Sequence, residues 1–142
     1  MPKEFKHVLV PVDFSENAEE ALETALKVFG DSADTISLIT VCESITNRHA
    51  EMMTEIDDMI NKSINEQMQS FASKYEGRHK NLKAYIKKGH AAPQILSAAK
   101  ELEVDLIVMG SQGTSSLARV FFGHTTYDVS RKAHCSVFVI RT

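Results

Sequence analysis

DLIVMGSQGTSSLARVFFGHTTY, residues 105–127, is the stretch on which the reading of this chain turns. Its apolar run, 106–109, halts at Gly110. Gly113 and Gly123 follow, with Ser111, Thr114, Ser115, Ser116, Thr125 and Thr126 around them. The pattern predicts a buried strand that empties into a glycine loop, then a helix beginning near Gly123. Glycine reaches positive φ without a Cβ clash and lets backbone N–H groups close on a ligand. A helix start adds unpaired N–H donors and the positive end of a dipole, the natural seat of a phosphate. The stretch therefore reads as a cradle for the phosphates of a nucleotide.

Working outward, residues 5–12 (FKHVLVPV) form a β-branched, apolar run that predicts a first buried strand, with Pro11 near its end. Asp13 follows, and Ser15 is placed to cap a helix whose apolar face is Ala18, Ala21, Leu22, Ala25, Leu26 and Phe29. Gly30 is expected to end it in the left-handed conformation. TISLITV, 35–41, predicts a second strand. Residues 42–50 are polar and read as a loop. A long amphipathic helix then runs over 51–75 on a stripe of Met52, Ile56, Met59, Ile60, Ile64, Met68, Phe71 and Tyr75. That stripe reads as core rather than a cofactor box. LKAYIKK, 82–88, alternates like an edge or near-edge strand. Pro93 suits a first helical turn, and Ile95, Leu96, Ala98, Ala99 and Leu102 carry that helix. After the glycine loop, Thr126, Val129, Ser130 and Ala133 face a last helix, and SVFVI, 136–140, is the fifth strand.

Strands and helices alternate, and the strands are almost continuously apolar, so a parallel sheet covered on both faces is expected. The fold class is α/β: a three-layer, doubly wound, five-stranded parallel sheet, in a single domain over 1–142. Ligands of such sheets sit beyond the carboxyl ends of the strands where the winding reverses. With strand order 3-2-1-4-5, Asp13 and Gly110 share one crevice and Val41 flanks Asp13. A carboxylate able to accept from ribose hydroxyls then faces a loop able to donate to phosphates.

Composition narrows the partners. The net charge of −3 argues against non-specific nucleic-acid binding, and no stretch approaches the ~20 apolar residues that span a bilayer. Residues 1–13 hold too short an apolar segment to be a secretory signal. Cys42 and Cys135 make neither a CxxC pair nor a disulfide framework. Cytoplasmic residence with reduced thiols is the expectation.

The chain resembles the universal stress protein family along its whole length. The most specific feature is glycine, two residues, glycine, nine residues, glycine, which Gly110, Gly113 and Gly123 match without a gap. Pro11-Val12-Asp13, Val41, the Gly89-His90-Ala91 turn and the closing CSVFVIR are similar to the family as well. The resemblance implies an adenine nucleotide α-hydrolase-like fold and an ATP-binding stress-response switch or sensor. Asp13 would hold the ribose, with Pro11 and Val12 beside it. Val41 and Met109 would line the adenine pocket. Gly110, Gly113, Gly123, His124, Thr125 and Thr126 would wrap the phosphates. The departure is His124, where the motif carries Ser or Thr. Its imidazole either favours the anion or narrows the site toward AMP, and Thr125 and Thr126 restore hydroxyls just beyond. The expected ligands are ATP, with AMP as second candidate, and Mg2+ carried on phosphate and water oxygens. A homodimer through strand 136–140 is implied too, because an apolar edge invites pairing.

Other chemistries fit less well. There is no Gly-Lys pair for a P-loop, no GxGxxG and no GxSxG elbow. A flavin carrier would place its hydroxyl-rich loop after the first strand, where this chain has DFSENAEE. A phospho-acceptor receiver would want an aspartate after the third strand, which ends in Lys87-Lys88-Gly89. The six histidines show no metal spacing, and no residue stands out as a general base, so at most slow ATP hydrolysis is expected. The competing reading is a dimeric interaction scaffold of the same fold that binds no nucleotide.

Overall fold

The computed structural model describes residues 4–43, 50–111 and 124–141. Five strands, β1 (His7–Pro11), β2 (Thr35–Cys42), β3 (Leu82–Lys88), β4 (Leu106–Gly110) and β5 (Ser136–Ile140), alternate with four helices. These are α1 (Glu16–Phe29), α2 (Ala50–Ser73), α3 (Ala91–Glu101) and α4 (His124–Lys132). All strand pairs are parallel, in the order β3-β2-β1-β4-β5. The winding therefore runs outward from β1 to β3, returns to β4 beside β1, and finishes at β5. The order read from the sequence is the order found.

Alternating strand residues feed two separate cores. Val8, Val10 and Val12 pack with Ile36, Leu38, Leu106 and Val108 under α1 and α2. Leu9, Ile39, Ile107 and Met109 pack under α3 and α4 with Ile95, Ala98, Ala99 and Val129. Leu9, Leu38, Ile39 and Ile107 have no exposed surface. Full burial of such a side chain contributes about 1.5–3 kcal/mol, which is why the middle strands read as unbroken apolar runs.

Helix α1 starts as its sequence dictates. Ser15 accepts from the Ala18 N–H at 3.2 Å, with Glu16 and Glu19 in the first turn and Lys27 in the last. Its end differs from expectation. Gly30 has φ −59, right-handed rather than left-handed, and a Cβ there would stand 2.2 Å from the Leu26 carbonyl oxygen. Glycine is required for close approach, not for positive φ. His79 then ties down the carbonyls of Gly30 (3.1 Å) and Ala33 (2.9 Å) through Nε2, while its Nδ1 accepts from the Asn81 N–H.

Helix α2 corrects a second expectation. Met68, Phe71 and Tyr75 are buried, but Met59 is 72% exposed. A helix of 24 residues is about 36 Å long at 1.5 Å per residue. The seven- and eight-residue strands beneath it extend only about 23–27 Å. The helix is longer than the strands it covers, and Met59 lies beyond the buried part of its stripe; the side chains of Met52 and Ile56 lie outside those described.

Candidate functional site

The amino end of β1 is closed tightly. Asp105 accepts from the backbone N–H groups of Lys6 (3.0 Å) and His7 (3.2 Å), and its own N–H donates to the His7 carbonyl. That clamp fixes β1 beside β4, where Val8 pairs with Leu106 and Leu9 with Ile107. His7 Nε2 lies 2.7 Å from the Ser37 hydroxyl, and burial lowers the pKa of the ring below its ordinary value.

Because the strands start level, β1 and β4 also finish side by side, at the point where α1 leaves toward one face and α4 toward the other. Pro11 pairs with Ile39, and the Val12 N–H donates to the Ile39 carbonyl at 2.8 Å. Carried two residues further, this register sets Val41 level with Asp13. Val12 is buried under α1 and α2, so only its backbone borders the crevice, whereas Asp13 is exposed. Oδ1 of Asp13 accepts from both the backbone N–H and the hydroxyl of Ser15. Among the described residues no hydrogen bond reaches Oδ2. Phe14, between them, has φ +65 and packs edge-on against Phe71 of α2 at 5.8 Å.

Across the crevice, Gly110 ends β4 opposite Ile140, and the buried Ser111 donates its N–H to the Ile140 carbonyl at 2.8 Å. The hydroxyl of Thr126, also buried, donates to the Gly110 carbonyl at 2.8 Å. This bond holds the first turn of α4 over the end of β4. The Thr126 hydroxyl is thus engaged within the chain, while His124 is exposed and Thr125 half-buried. The first-turn N–H groups of a helix have no intrahelical acceptor. Val41 and Met109 pack on the same side, in the α3/α4 layer. Gly113 and Gly123 lie outside the described residues.

Pro11, Asp13, Val41, Met109, Gly110 and the start of α4 thus gather at one edge of the sheet. An open depression of about 650 Å3 lies elsewhere, between the end of α2 and β3. Its lining includes Ser73, His79, Lys80 and Lys83 and none of the site residues named from the sequence. Two features escaped the sequence reading. The Asp-x-Ser spacing is a signal for a side-chain-closed turn and could have exposed the Asp13–Ser15 bonds. The positive φ of Phe14 had no signal, since phenylalanine is not a turn residue. Such a conformation costs about 1–3 kcal/mol and persists only where packing enforces it.

A doubly wound parallel sheet in the order β3-β2-β1-β4-β5 defines a class of small α/β proteins. Within that class, the chain matches the model of the Universal stress protein family over residues 4–141, and it belongs to that family. It is 27% identical to Universal stress protein MJ0577 of Methanocaldococcus jannaschii, covering 96% of this chain and 95% of the relative. The solved structure of MJ0577 superposes with a TM-score of 0.86 over 99% of this chain and 98% of that one. The fold is also shared with a universal stress protein in complex with cAMP (TM-score 0.74, 18% identity, 97% and 98% covered). A universal stress protein family protein from Arabidopsis thaliana with AMP bound shares it too (TM-score 0.64, 20% identity, 96% and 91% covered).

Proposed function

We propose that this chain, as one domain over 1–142, binds an adenine nucleotide at the β1/β4 crevice and acts as a nucleotide-dependent stress-response switch. The observation that carries the reading is the meeting of opposite chemistries there. Asp13 offers a carboxylate on one side, and the first turn of α4, fastened to the Gly110 carbonyl through Thr126, would offer N–H donors on the other. Ribose hydroxyls suit the first and phosphates the second. The complexes of family members with cAMP and AMP support the adenine nucleotide as ligand class.

ATP is the proposed ligand, with Asp13 at the ribose and Val41 and Met109 against the adenine. His124, Thr125 and the N–H groups around Gly110, Gly113 and Gly123 would meet the phosphates. Mg2+ would ride on the phosphate oxygens. Its contribution is to neutralise their charge, and the chain's own residues bind and orient the nucleotide. The protein would act in the cytoplasm. No helix among the described residues is long and apolar enough to cross a membrane.

Two copies would pair along β5. This strand is the sheet edge, and Phe138 at its middle is 40% exposed. The same edge is what favours the second reading, a dimeric scaffold that binds no nucleotide. Extraction of small molecules from purified protein, with calorimetric titration of ATP, ADP and AMP, separates the two. Co-purified or titrating nucleotide supports the switch, and neither one supports the scaffold. Sedimentation at micromolar concentration is expected to give a dimer, and a monomer there ends the pairing proposal.

A further inference from the structure

The turn that follows β1 contains a conformation its sequence does not favour. Phe14 has φ +65, and Glu103 is the other non-glycine residue with positive φ among the described residues. Left-handed backbone is uphill for a side chain with Cβ, so an opposing contact must hold it. The contact is Phe71 on α2, edge-on at a 64° interplanar angle, within the same layer that buries Val12. Val12 and Phe14 are therefore both pinned under α1 and α2, and Asp13 between them is left exposed at the strand end. On the far side the chain is pinned again: Ser15 donates twice to Asp13 Oδ1 and accepts from the Ala18 N–H of α1.

We propose that Phe14 is a positioning residue for Asp13. By docking on Phe71 it forces the left-handed turn that holds the Asp13 carboxylate with Oδ2 toward the crevice, preorganised for ribose hydroxyls. The proposal rests on the nucleotide reading above and adds to it the element that orients the carboxylate. A flexible aspartate would have to be ordered by the ligand, and affinity would fall accordingly. Glycine at position 14 takes the same backbone angle without strain but loses the tether, so it separates orientation from conformational cost.

The experiment compares wild type, Phe14→Gly and Phe71→Leu by calorimetry with ATP and with 2′,3′-dideoxy-ATP. Wild type is expected to prefer ATP by about tenfold or more, the worth of a charge-assisted hydrogen bond to a hydroxyl. In Phe14→Gly the preference collapses toward one, while dideoxy-ATP binds about as before. Phe71→Leu, which keeps Phe14 and an apolar neighbour, gives a partial collapse and stands as the test if the glycine variant does not fold. Equal weakening of both ligands, with the preference intact in the folded variants, shows Phe14 to be merely structural and overturns the proposal. Wild type that binds both ligands equally removes Asp13 from the ribose and overturns it at its root. Wild type that binds neither overturns the nucleotide reading itself.

Discussion

Two aspartates stand beyond opposite ends of the central strand pair, and their difference separates what holds this protein together from what it offers a ligand. Asp105 spends both carboxylate oxygens on the N–H groups of Lys6 and His7 and so locks the start of β1 to β4. Asp13 spends one oxygen on Ser15, and among the described residues its other oxygen takes no hydrogen bond. A carboxylate with both oxygens satisfied by backbone serves register. One with an idle oxygen at a sheet's carboxyl edge is available for recognition.

The contrast breaks most readily at Asp13. Asp13→Ala should weaken nucleotide binding by roughly 1.5–3 kcal/mol, the worth of a charged hydrogen bond. The melting temperature should move little, because the bonds lost are exposed ones. An unchanged dissociation constant in calorimetry removes Asp13 from the site. Asp105→Ala should do the reverse. It removes two backbone partners at a partly buried position, so urea unfolding should show a loss of about 1–2 kcal/mol with affinity retained. If affinity collapses while stability holds, the assignment of the two ends is inverted.

Thr126 lies between these cases, since its hydroxyl is structural yet fastens the start of α4, the proposed phosphate-binding element. Thr126→Val leaves the half-buried Gly110 carbonyl without its donor, at a cost of about 1–2 kcal/mol. Phosphate-bearing ligands should weaken while adenosine, lacking phosphate, is spared. Equal losses for AMP and adenosine in a titration would detach α4 from phosphate binding.

The smallest effect is expected at the amino end, from pH. Burial lowers the pKa of His7 from 6.5, so the folded state prefers the neutral ring. As pH falls through 6.5 the unfolded chain takes up a proton that the folded chain refuses, and stability declines until the lower folded pKa is passed. His7→Gln should flatten that part of the urea-midpoint profile. A slope identical to wild type would place the pH dependence elsewhere.

Much of this arrangement was legible in the residues. Strand positions followed from apolar runs such as VLV and LIVM, because a strand covered on both faces must be apolar on both sides. Ser15 announced its helix, and Gly110 announced the end of β4. The stripe of α2 was misjudged at Met59 because periodicity reports which face is apolar and not how far the neighbouring sheet extends. The bond from Thr126 to the Gly110 carbonyl was not legible, because sequence does not say which partner a hydroxyl meets.

The sequence by itself determined the class of fold and the family, since burial pattern and glycine spacing are written locally along the chain. Only the tertiary structure decided how the elements are held: Asp105 closing the register, Thr126 fastening α4 to Gly110, and Phe14 bent into a left-handed turn against Phe71. Each of these depends on partners 16 to 99 residues away or on strain that distant packing sustains. No local preference of the chain encodes that.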